Sequence, residues 1–86
     1  MDNKARNTDE PVLAQIQRLV EDEHRLYEQG EKTTLEDADR RKLASLQVEL
    51  DQCWDLLRQR RALRETGQDP DDAHVRPPEI VENYEQ

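Results

Sequence analysis

The residues best equipped for chemistry are a misplaced carboxylate, an acid–imidazole pair and a run of arginines. Glu23 falls between Leu19 and Tyr27 on a helical wheel, in the middle of an apolar face. A carboxylate there must find a cation or shift its proton affinity. It is expected to pair with an Arg or Lys of a second helix or of another copy; the alternative is a ligand-binding or acid/base carboxylate. Glu21 and His24 have the Glu-x-x-His spacing that sets two metal ligands on one helix face. Carboxylate-bridged di-metal sites use that motif twice, with further glutamates. Here it occurs once, on the flank of the apolar stripe, so solvated side chains and no metal site are expected.

Arg58, Arg60, Arg61 and Arg64 form a basic cluster. Cations suit a helix C-terminus and can pair with Glu65 and acidic neighbours. Arg61 and Arg64 also continue a leucine seam and could face Glu23 or Asp39 of a partner chain. With Trp54 one turn away, Arg58 and Arg61 could instead make a planar, stacking anion site. Trp54 is the only tryptophan and reads as an interface anchor. Cys53 lies on the seam as a small, unreactive packing residue. A Gly-rich phosphate loop and a readable Ser-His-Asp set are both lacking, so no catalytic residue and no cofactor are assigned. Nothing in the sequence argues for an enzyme.

Eighty-six residues allow one domain at most. With 33% apolar and 40% charged residues, the chain lies toward the disordered end of composition space. Its few apolar residues are nevertheless concentrated and periodic. The net charge of −8 argues against nucleic acid and against an anionic membrane surface. A lone cysteine fits a reducing, cytoplasmic setting. The polar start, Met1-Asp2-Asn3-Lys4, lacks the apolar core of a signal peptide, and no stretch approaches membrane-spanning length.

These residues must be positioned by helices. Residues 1–8 read as a disordered extension. Thr8-Asp9-Glu10-Pro11 starts a helix, with Thr8 or Asp9 capping it and Pro11 in the first turn. Val12, Leu13, Ile16, Leu19, Val20, Leu26 and Tyr27 keep helical spacing to Gly30, which is expected to end the helix at about residue 29. After a turn at Glu31-Lys32, Thr33 and Glu36 have capping-box spacing. A second helix is predicted over about 34–65, with Leu43, Leu46, Leu50, Cys53 and Leu57 as its packing seam. Such a short loop makes the helices antiparallel neighbours within residues 9–66. Residues 67–86 form a proline-containing tail, either loose or draped over a helix, with a short helical turn after Pro78.

The predicted helices differ in length, about 28 Å against about 46 Å. The first would cover the second only to about Cys53, leaving Trp54, Leu56, Leu57 and Leu63 for the tail or another chain. Small scaffolds without disulfides or metals commonly oligomerise. The all-α hairpin is therefore expected to form a homodimeric four-helix bundle, with Leu50, Cys53, Trp54, Leu57 and Leu63 at the interface.

The stretch Leu50-Asp51-Gln52-Cys53-Trp54-Asp55-Leu56-Leu57-Arg58-Gln59-Arg60-Arg61-Ala62 resembles the hallmark of a small actinobacterial family of unknown function, number 2630. Glu23-His24-Arg25-Leu26, Asp69-Pro70 and Val75-Arg76-Pro77 also fit its pattern. The resemblance runs from about Ile16 to Tyr84. It implies that Glu23, His24, Gln52, Trp54, Arg58 and Arg61 belong to the family's pattern, and it implies no activity. Two readings follow. One is a homodimeric structural or interaction module, able to engage another protein. The other is a small-molecule or anion binder, or an enzyme, built on Glu23, His24, Trp54, Arg58, Arg61 and Arg64. Mutual pairing of these charges without a cavity favours the first; an open pocket lined by them favours the second.

Overall fold

The computed structural model describes residues 8–84, with side chains as far as Val81. Helix α1 spans Glu10–Lys32 and α2 spans Asp37–Glu65, packed as an antiparallel hairpin. A 3-10 turn follows at Pro70–Asp72, then a short helix α3 at Pro78–Tyr84. The tail is thus draped and carries the expected helical turn after Pro78. Residues 1–7, 85 and 86 of the expected termini lie outside the described residues.

The core is the leucine seam. Ile16, Leu19 and Leu26 of α1 are buried against Leu46 and Leu50 of α2, with Val12, Leu43, Cys53 and Leu57 packed around them. The spacing places one stripe of each helix against the other, and burying those stripes is the main force joining them.

The turn departs from the sequence reading. Gly30 does not stop α1; the helix runs through it to Lys32, and the Thr33 amide closes the end on the Gln29 carbonyl. Glycine serves close approach there, because a Cβ would meet Leu35 Cγ at 3.3 Å. The Thr33–Glu36 capping box does not form; Glu36 is the N-cap of α2 and its side chain makes no capping bond. Gly67 is the true terminator, at φ +77°. Its amide bonds the Arg64 carbonyl (3.1 Å) while Gln68 bonds Leu63 (2.8 Å), satisfying the carbonyls at the end of α2.

The added turn changes the length argument. At 23 residues, α1 folds back along α2 to about Arg60 instead of Cys53. The tail packs on α2 as well, through both the 3-10 turn and α3. Leu56, Leu57 and Leu63 are consequently half-buried within one chain. The expected overhang is largely closed from inside.

Candidate functional site

Two polar clusters hold the chain together. The first joins both ends of the hairpin to the tail. Arg60, 7% exposed, donates Nε–H to Asp9 (2.7 Å), Nη1 to Asp71 (3.0 Å) and to the Pro70 carbonyl (3.2 Å), and Nη2 to the Thr8 carbonyl (2.8 Å). Arg64 bonds the same Asp9 carboxylate at 2.5 Å. Asp9 sits at the N-cap of α1 yet makes no capping bond, since its oxygens are turned to the two arginines. The Arg64 and Arg60 hydrogen bonds hold its carboxyl below the usual range, against the opposing effect of burial. Burial alone would lower the proton affinity of Arg60; its bonds to Asp9 and Asp71 outweigh that and raise it. A buried guanidinium with four of its five N–H donors bonded within the chain is a structural tie.

The second cluster straps the tail to the outer side of α2. Asp55 has no exposed surface. It accepts Nε–H and Nη2–H of Arg76 at 2.9 and 2.5 Å, a bidentate pair, and Gln59 Nε2 at 2.9 Å. Gln59 also donates to the His74 carbonyl (2.8 Å), and Gln52 to the Arg76 carbonyl (3.0 Å). The Arg76 bond pulls the Asp55 carboxyl below its ordinary range despite burial. Val81 then anchors the strap, fully buried.

The candidate site residues are placed differently from one another. Glu23 is half-buried, but the expected pairing with the arginines of its own chain is absent among the described residues; Arg60 and Arg64 are turned to Asp9 instead. His24 contacts Glu28 at 3.2 Å on an exposed flank, and no group of three metal-ligating side chains occurs among the described residues. Cys53 is half-buried; desolvation, then the Glu49 carboxylate, push its thiol up and away from reactivity. Trp54 is 45% exposed. Arg58 and Arg61 are exposed beside it along α2.

Of the candidate binding residues, Arg58 alone lines any of three hollows along the described surface. The described surface has a shallow apolar groove of about 360 Å³ between the start of α1, α2 and Val75, to which Val12, Cys53 and Leu56 contribute. Glu23, His24, Trp54, Arg58, Arg61 and Arg64 are not among its lining residues. Arg58 borders a smaller hollow of about 170 Å³ whose other polar members, Asp55, Gln59 and Arg76, belong to the strap. Neither of these two hollows gathers the residues of the anion-binder reading.

Sequence reasoning gave Asp55 and Gln59 no role, took Asp9 for a cap, and named Arg60 in the basic cluster and Arg76 in the family pattern without finding their partners. Asp55 offered a signal. It lies in the Trp-containing stretch that carries the family resemblance, on the side of α2 opposite the leucine seam.

Fold and clusters together define a strapped helical hairpin, in which buried ion pairs pin a tail against the long helix. The chain belongs to a family described as Protein of unknown function (DUF2630), whose model matches residues 8–86. It is 50% identical over 78 residues, 90% of each chain, to an uncharacterized protein of Mycobacterium bovis and to uncharacterized proteins of two Mycobacterium tuberculosis strains. No solved structure matches it. No described helix is long and apolar enough to cross a membrane.

Proposed function

We propose that this chain is a non-enzymatic, cytoplasmic interaction module that works as a homodimer, its copies meeting on the side that carries Trp54. One observation carries the reading. Leu13, Val20 and Tyr27, each 44–48% exposed, follow one another at seven-residue spacing along α1, and Trp54 is equally exposed on α2. Tyr27 Oη accepts a 2.9 Å bond from Gln47 Nε2, and Gln47 and Trp54 are themselves seven residues apart. The four apolar side chains therefore share one side of the hairpin, and that side is the contact surface of this reading.

Shape and core size support a second copy as the occupant. Six apolar side chains are buried among the described residues, a small core for a chain of this length. The radius of gyration is 15.7 Å, where a compact chain of this size would have about 12 Å. The thinnest dimension is 15 Å. Two such plates face to face make a four-helix bundle with a doubled core. Of the residues expected at an interface, this reading keeps Trp54 at the centre; Leu50 is buried and Cys53, Leu57 and Leu63 are half-covered within the chain.

Sedimentation equilibrium tests this. The unmodified chain should sediment as a dimer at micromolar concentration, and Val20→Glu as a monomer of unchanged helical circular dichroism. A folded monomer of the unmodified chain at high micromolar concentration would overturn the reading.

A further inference from the structure

We infer that Glu23 of one copy pairs with Arg61 of the other, across a two-fold axis that runs perpendicular to the helices and sets α1 antiparallel to its counterpart. The inference rests on the dimer reading above and adds its geometry.

Two charges on the Trp54 side are left over by the fold. Glu23 is half-buried beside Leu19 and Leu26, and among the described residues no cation of its own chain bonds it. Arg61 is exposed one turn beyond Leu57, and among the described residues no carboxylate bonds it. A half-buried carboxylate without a counter-ion is costly, and an interface would bury it further. The chain carries a net charge of −8, so two copies repel unless opposite charges meet locally.

Reach decides between the two ways a two-fold axis can lie in the interface. The Tyr27–Gln47 bond sets those residues level on antiparallel helices, so seven residues on in each, Val20 is level with Trp54. From that level Glu23 lies three residues toward the turn, about 4.5 Å, and Arg61 seven residues away from it, about 10.5 Å. An axis along the helices keeps them on opposite sides, about 15 Å apart, beyond one ion pair. An axis across the helices at the Val20–Trp54 level reverses one copy and brings the two levels within about 6 Å; the further sideways offset of about 8–10 Å between neighbouring helices is shared by the two side chains as they reach toward each other. Both residues adjoin the seam of their own helix, so both lean toward the midline of the face. The same axis stacks Val20 on its own counterpart and matches Leu13 with Tyr27.

Charge reversal tests the pairing by sedimentation velocity, with helical circular dichroism as the check on folding. Glu23→Arg and Arg61→Glu should each weaken association at least about tenfold by setting like charges together. The double variant should recover to within about threefold of the parent. Independently, in a Cys53→Ser background, Val20→Cys should oxidise to a self-linked dimer, and should do so in preference to linking with a Trp54→Cys copy. A dimer that shows no recovery in the double variant, or that links position 20 to position 54, overturns the inference and leaves the dimer standing. A monomeric parent chain overturns the dimer reading itself.

Discussion

Helix α2 has two built sides, and they are made of different materials. Toward α1 it presents Leu43, Leu46, Leu50, Cys53 and Leu57, an apolar seam whose partners are equally apolar. Toward the tail it presents Gln52, Asp55 and Gln59, each joined to a polar group of residues 74–76. The seam works by area and tolerates exchange among similar shapes. The strap works by geometry: a fully buried carboxylate is stable there only while a bidentate arginine and an amide saturate it. One side therefore sets whether the hairpin folds at all. The other sets where the tail lies.

Two substitutions separate these roles. Leu50→Ala removes buried apolar volume from the middle of the seam and should cost about 2–5 kcal/mol, lowering the midpoint of the whole denaturation curve. Arg76→Ala should cost less. Breaking a buried pair by removing one partner typically costs about 3–5 kcal/mol. Here Arg76 is about a third exposed and the strap can lift to let water reach Asp55, so undocking holds the loss below that range and below the cost of Leu50→Ala. The patterns should differ as well. Amide exchange in Arg76→Ala should quicken in residues 69–81 and stay slow at Leu19 and Leu46. An Arg76→Ala chain whose exchange quickens at Leu19 and Leu46 as much as in residues 69–81 would break the distinction.

The two sides also differ in how far the sequence discloses them. The seam is legible because its residues repeat at three and four, and burial follows from that pattern alone. Both long helices, their antiparallel packing and the turn after Pro78 came from such local signals. The ends of the helices did not. Gly30 looks like a stop from composition, but its lack of a side chain is used to admit Leu35. Asp9 looks like a cap, but two arginines more than fifty residues away bind its oxygens more strongly than a backbone amide would. The strap is less legible still. Asp55 and Arg76 are 21 residues apart, with a glycine, a proline and a 3-10 turn between them, and no periodicity links such a pair. Glu23 stood out as a carboxylate on an apolar face, but Arg64, one of the cations expected to meet it, is engaged by Asp9.

Acid should sharpen the comparison with the gentlest perturbation, because it removes charge and leaves every side chain in place. Asp9 and Asp55 both have carboxyls held below the ordinary value of 3.8, by arginine hydrogen bonds in each case. A carboxylate with a depressed folded-state pKa stabilises the fold fully above its unfolded value, and that contribution fades as pH falls through the lowered one. Stability should therefore be flat from neutral pH down to about 5 and decline below about 4. The seam has no titrating member with a lowered pKa, so the strap should respond first. Amide exchange across residues 69–81 should accelerate below about pH 4, before helical circular dichroism falls. A protonated Asp55 still offers a carbonyl oxygen to Arg76, so the effect should be smaller than that of Arg76→Ala. An Asp55→Asn chain carries no titrating group at that position. If its strap opened over the same acid range and to the same extent as the parent's, Asp55 would not be the latch, and the Asp9 cluster would hold the tail alone.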